Sequence, residues 1–203
     1  SMSLITSAIE NQTFTDLTIN SNMNLGLDVN LTGLSSDTIS ASGTTTAGAG
    51  SIIINAINWT NSTAIGDNAK IALMSSGNAD LANAITLGVS QYVNGNLTYN
   101  ITKEVTDNIA YLNFAYGNLY TAVHDTSATR TYTMTADEPA LASGLTGYGA
   151  MEGTQLTING GGYSILGGNK GGITVGNGQT LQLDDVANLT GFSGNQVTNS
   201  GTL

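Results

Sequence analysis

Gln155-Leu156-Thr157-Ile158-Asn159-Gly160-Gly161-Gly162-Tyr163-Ser164-Ile165-Leu166-Gly167-Gly168, continued by Gly171-Gly172-Ile173-Thr174-Val175, Gly176-Asn177-Gly178 and Thr180-Leu181-Gln182-Leu183, is the stretch whose reading decides the fold. Apolar residues recur at Ile158, Ile165, Ile173, Leu181, Leu189 and Val197, in steps of 7, 8, 8, 8 and 8. Glycine clusters fall between them and punctuate the chain as turns do. Each step therefore reads as a strand of three or four residues plus a turn. Leu156-Thr157-Ile158 and Leu181-Gln182-Leu183 alternate, which sends one side chain inward and the next outward.

Strands this short, paired as a meander, would leave open edges that invite aggregation. Three steps instead close a rung of 23 or 24 residues. Stacking then puts Ile158 over Leu181, 23 residues apart, and Ile165 over Leu189 and Ile173 over Val197, each 24 apart. That ladder predicts an all-β fold, a right-handed parallel β-helix with three faces, whose coils bury a continuous core between neighbours.

Leu-Thr-Ile-Asn occurs at Leu17 to Asn20 and again at Leu156 to Asn159, which extends the solenoid reading to the N-terminal part. Further strands are expected at Phe14 to Ile19, Leu25 to Leu31, Ser51 to Ile57, Lys70 to Leu73 and Ala84 to Val89. Ser40 to Gly50, rich in Ser, Gly, Thr and Ala, reads as a loop, and Asp80 to Ala84 as one helical turn. The middle differs. Asn94-Gly95 lies between apolar residues, a hairpin signal, and Leu97 to Ile101 and Ile109 to Phe114 alternate around Thr106-Asp107-Asn108. Seven of the twelve aromatics fall here. The expected organisation is 3–90 an N-terminal β-solenoid segment, 91–135 an antiparallel β region, and 136–203 the C-terminal β-helix coils.

The chain has 203 residues with 9% charged and 40% hydrophobic side chains, one Pro and no Cys. Charge is far below the roughly 25% of an ordinary soluble domain, and Gly, Ser, Thr and Asn supply about half of the chain. Neutral polar groups must keep the surface wet. The net charge of -10 sets fourteen acids against Lys70, Lys103, Arg130 and Lys170. Nucleic-acid binding needs cations gathered on one face, so that class is excluded, as is a run of apolar residues long enough to span a membrane. The N-terminus lacks the basic start and apolar block of a signal peptide. Ser1-Met2 reads as a vector-derived remnant, and the pattern breaks off at Ser200-Gly201-Thr202-Leu203, as in a piece of a longer protein. The absence of Cys fits export in an unfolded state through an oxidising compartment.

Leu156-Thr157-Ile158-Asn159-Gly160, Tyr163-Ser164-Ile165, Gly171-Gly172-Ile173-Thr174-Val175 and Phe192-Ser193-Gly194-Asn195 resemble the repeats of bacterial autotransporter passengers and polymorphic outer-membrane proteins. Gly-Gly-apolar and Phe-x-x-Asn motifs mark successive β-helix coils in that family. Thr63 to Lys70 also resembles one unit of the trimeric-autotransporter head repeat. The resemblance implies a secreted or surface-exposed passenger acting in adhesion or autoaggregation, with its translocating β-barrel elsewhere, and supplies no catalytic residue.

The chemistry-bearing side chains are few. His124 is the only histidine, so neither an imidazole cluster nor a thiolate site is available for a transition metal. Asp125 beside it is badly placed to orient it, and no Gly-x-Ser-x-Gly elbow accompanies them, so His124 reads as a solvent-facing loop residue. Asp184-Asp185 is the best carboxylate pair for general acid and base work, but adjacent strand residues point to opposite faces, which favours a turn. A uronate lyase would need converging cations, and the four here are scattered. Asp137-Glu138 with Glu152, or Asp67, could hold calcium through oxygen ligands, with solvated turns as the simpler use. Seven Asn-x-Ser/Thr sequons match what composition alone produces.

Tyr111, Tyr116 and Tyr120 form the candidate ligand-binding surface, a sugar-stacking platform with an apolar face and polar tips, with Trp59 as a separate contact. Ordinary packing within a sheet is the competing use. No catalytic residue, metal or cofactor is expected. The functional expectation is a non-catalytic segment of a bacterial surface-exposed or secreted autotransporter-type adhesin, acting in adhesion, in self-association or as a structural stem. Its partner would be a host glycan or protein, or the same protein on a neighbouring cell, with no nucleic acid and no membrane insertion by this segment. A carbohydrate-binding or carbohydrate-degrading β-helix, or a phage-type fibre, is the alternative.

Overall fold

The computed structural model describes residues 2–203. The chain is mostly β, a parallel β-solenoid of about seven turns with an antiparallel sheet in its middle. It divides into two compact units, Ser1–Tyr92 with Asn100–Ala115, and Val93–Tyr99 with Tyr116–Leu203.

In the second unit three parallel sheets form the coil walls. One orders Thr129–Thr133, Gln155–Asn159 and Thr180–Asp184; the next Gly147–Ala150, Gly171–Val175 and Val197–Asn199; the last Ser164–Leu166 and Asn188–Thr190. Ile165 pairs with Leu189 and Ile173 with Val197, as the periodicity predicts. The first row is corrected. Ile158 pairs with Leu183 and Leu156 with Leu181, a spacing of 25 rather than 23. The expected register would have set Leu156 against Gln179 and Leu183 against Gly160, whereas the observed one stacks two apolar pairs. Because the slip is two residues, every side chain keeps its face. Leu156, Ile158, Ile165 and Leu181 are fully buried.

The parallel pairing reaches back to Thr129–Thr133, where Arg130 pairs with Leu156 and Tyr132 with Ile158. Close stacking explains one glycine in particular. A Cβ on Gly172 would collide with the Gln196 carbonyl oxygen on the next coil.

In the first unit one sheet runs Met2–Ser3, Met23–Asn30, Ile52–Trp59, Ile85–Leu87, all parallel. Asn11–Phe14 pairs with Thr38–Ala41 and Leu17–Ile19 with Thr45–Ala47. Here the rungs lengthen: Gln12 lies on Ile39, Leu17 on Thr45, Met23 on Ile52 and Ile52 on Ile85, so the spacing drifts from 27 to 33 residues. Met2 registers on Leu25, and one expectation is overturned. Ser40 to Gly50, read as a loop, carries the end of one strand and the whole of another. It does so through polar stacking: Thr13 Oγ1 lies 3.4 Å from Ser40 Oγ, which accepts from Ser75 Oγ at 2.9 Å. A polar stack leaves no hydrophobic period to read.

The antiparallel sheet orders Gln91–Asn94, Leu97–Thr106, Ile109–Tyr116 and Lys70–Ala72. Its turns use the expected residues, with Asp107 and Asn108 both at positive φ (51° and 62°), the geometry of a type I′ hairpin turn. Asp80 to Ala84 is part of the short helix Ala79–Ala84, whose N-terminus is capped by Asn78 Oδ1 accepting from Leu81 N at 3.0 Å. A second helix, Leu119–Val123, was not expected; Asn118 caps it in the same way.

Candidate functional site

The outward face of Thr129–Thr133, Gln155–Asn159 and Thr180–Asp184 is a regular polar array. Register places Thr129, Gln155 and Thr180 in one row, Thr131, Thr157 and Gln182 in the next, and Thr133, Asn159 and Asp184 in the third. Rows of parallel strands repeat at about 4.8 Å across the sheet and about 6.6 Å along it for same-face residues. These side chains are half-exposed or exposed, and only Asp184 is charged.

The four cations are spent on structure. Lys70 pairs with Glu104 at 2.5 Å with both side chains 40% exposed. Lys103 Nζ donates to the carbonyls of Ala82 at 3.0 Å and Ile85 at 2.7 Å, where the first short helix ends. Arg130, 4% exposed, donates from Nε to Ala122 O at 2.6 Å and from Nη2 to Val123 O and Glu152 O, fastening the end of the second helix to a coil turn. Lys170 binds the carbonyls of Ala142, Ser143 and Leu145. Burial lowers the pKa of both Lys103 and Arg130.

The aromatic candidates divide between the two units. Trp59 is half-buried against Tyr92, ring centroids 4.7 Å apart, and near Phe114 at 6.2 Å. Tyr111 is half-buried on Ile109–Tyr116, and with Trp59 belongs to the first unit. Tyr116 and Tyr120 belong to the second. Tyr116 is 7% exposed and donates its hydroxyl hydrogen to Asp125 Oδ2. Its packing opposite Tyr99, at 6.3 Å, is that of a core residue. Tyr120, half-buried like Tyr111, lies beside His124, with ring centroids 4.3 Å apart.

His124 is corrected from a solvent-facing residue: it is half-buried, with Nε2 2.7 Å from the Tyr148 carbonyl. Asp184 ends its strand and Asp185 follows at φ 50°, both exposed, which is a turn. Asp137 is exposed and accepts from Ser164 N. Glu138 is not a solvated turn residue. It is 6% exposed, accepting from Leu119 N at 2.8 Å and from the Tyr132 hydroxyl at 2.6 Å, and burial raises its pKa. Among the described residues, no group of three His, Cys, Asp or Glu could hold a metal ion.

Glu138 and Tyr120 both line a cavity of about 220 Å³ in the second unit, with Asn96, Thr98, Asn118 and Pro139. Sequence reading missed four of these six as site residues, because they come from three separated segments. The one available signal was Asp137-Glu138-Pro139, an acidic pair beside the chain's single proline. Comparison with protein-family models, with curated proteins and with solved structures returns no significant match.

Proposed function

We propose that the chain is a non-catalytic segment of a bacterial surface-exposed or secreted passenger of the autotransporter type, acting by adhesion or self-association through its neutral polar faces. The observation that carries this reading is the three-row array of Thr, Gln and Asn on one solenoid wall, which is regular, outward and almost uncharged. Such a wall offers hydrogen-bond donors and acceptors at a fixed repeat, and a second copy or a repetitive host polymer can match that repeat over many weak contacts. The charge balance supports the same reading, because four cations against fourteen acids leave a net charge of -10 that repels an anionic partner. The Gly171-Gly172-Ile173 motif lies at a close coil approach, the place where a β-helix repeat needs glycine.

The test is to display the segment on a non-adherent bacterium, beside an unrelated solenoid of the same length. Clumping or host-cell attachment with this segment alone supports adhesion. Equal behaviour of the two reduces the segment to a spacer.

A further inference from the structure

The cavity beside Tyr120 is built from chemistry that the polar array lacks. Its lining combines the aromatic Tyr120 and the apolar Pro139 and Leu141 with the polar Asn96, Thr98, Asn118 and Glu138. The ring is held by His124, itself fixed through Nε2 at the Tyr148 carbonyl. Asn118 is fixed as well, since its Oδ1 accepts from Thr121 N at 2.9 Å and from Thr121 Oγ1 at 2.6 Å. That leaves its amide hydrogens as the groups a ligand can use.

Glu138 sets the sign of the site. Each carboxylate oxygen already accepts one hydrogen bond, from Leu119 N and from the Tyr132 hydroxyl, and each keeps a second lone pair. A group so buried and so oriented is an acceptor for neutral O–H donors. An anion is disfavoured, because a carboxylate and no Lys or Arg lines the cavity. A quaternary ammonium would want several aromatic faces, and Tyr120 is the one aromatic residue in the lining. The volume, about 220 Å³, lies below the roughly 300–1,000 Å³ of sites that enclose drug-sized ligands. One small ring fits this space, a chain of rings does not.

We propose that this cavity is a subsite for a single neutral sugar ring, its C–H face on Tyr120 and Pro139 and its hydroxyls on Glu138, Asn118 and Asn96. The site is separate from the polar array, so each can fail without the other.

The experiment is saturation-transfer NMR on the whole chain with glucose, galactose, mannose and N-acetylglucosamine, and with glucuronate as the anionic control. The expected result is transfer to at least one neutral sugar, strongest at its ring C–H protons, and markedly weaker transfer to glucuronate. Tyr120→Ala should weaken that binding about tenfold, the equivalent of one stacking contact. Ala142→Trp, on the exposed rim of the cavity, should block binding. Both variants are checked for an unchanged thermal midpoint. No transfer to any neutral sugar, transfer that survives in both folded variants, or glucuronate binding as well as the neutral sugars would overturn the assignment. Loss of sugar binding in these variants with clumping intact separates this site from the adhesive array.

Discussion

The Tyr132 hydroxyl donates to Oε2 of Glu138 at 2.6 Å, across six residues of a turn, while Leu119 N holds Oε1 at 2.8 Å. Burial still leaves Glu138 above the usual carboxylate range, and burial raises Asp37 as well, with Asp28 and Glu10 nearby. For both groups the native state binds a proton more readily than the unfolded chain, so stability rises as pH falls through their folded values. Asp28 behaves oppositely. Burial alone would raise it, but Asn58 Nδ2 and the amides of Thr6 and Ser7 hold it below its ordinary value. Its contribution is present above the unfolded value of about 3.9 and lost as pH falls through the lower folded one.

The thermal midpoint is therefore expected to rise as pH falls from 7 into the ordinary carboxylate range, and to fall once pH drops below that range. Relief of the -10 net charge acts in the same direction on mild acidification, so the scan belongs in about 1 M salt, which screens surface charge far more than buried groups. Glu138→Gln should flatten the rise. A midpoint that falls steadily from pH 7 into the ordinary carboxylate range in high salt contradicts the assignment.

Coil stacking makes a sharper prediction. Ile165 is fully buried and paired with Leu189, so Ile165→Ala should cost about 2–5 kcal/mol. Thr157→Ala, in the outward row, should stay within about 0.5 kcal/mol. Urea denaturation followed by circular dichroism measures both, and equal losses would mean that the inward and outward faces are misassigned.

Gly172→Ala tests the close approach of coils. An added Cβ meets the Gln196 carbonyl, and backbone is less able to yield than the far end of a side chain. The expected loss is about 1–3 kcal/mol, as for overpacking. Gly144→Ala, where a Cβ would meet nothing within 4 Å, serves as the control and should be near neutral.

The cations divide in the same way. Lys103→Met removes donors from the Ala82 and Ile85 carbonyls, and carbonyls stripped of a charged partner cost about 1–3 kcal/mol. Lys70→Met breaks an exposed ion pair, expected to matter by less than about 1 kcal/mol. Comparing the two melts checks the ranking.

The legible part of the fold was where apolar period and rung length coincide. Ile165, Ile173, Leu189 and Val197 were readable because a constant step keeps the same face inward through successive coils. Leu156 and Ile158 gave the face but not the register, since two apolar residues per strand permit two alignments. In the first unit the rungs drift, and Ser40 and Thr45 replace bulky residues in the interior, so composition alone looked like loop. The site was less legible still. Tyr120 was singled out from a local run of aromatics, but nothing in the linear pattern joins it to Glu138, Asn96 and Asn118. Tyr116 shows the reverse error: its hydroxyl bonds to Asp125 and its ring is buried, which no local pattern distinguishes from an exposed tyrosine.

The adhesive reading rests on the array formed by Thr131, Thr157 and Gln182 and their neighbouring rows. The most direct test is the clumping of cells or beads carrying the wild-type chain against the Thr131→Lys/Gln182→Lys variant, which places charge on two outer strands of one row and leaves the core untouched. The prediction is strong loss of clumping with an unchanged thermal midpoint. Full clumping by a folded variant would show that contact is made elsewhere and would contradict the account.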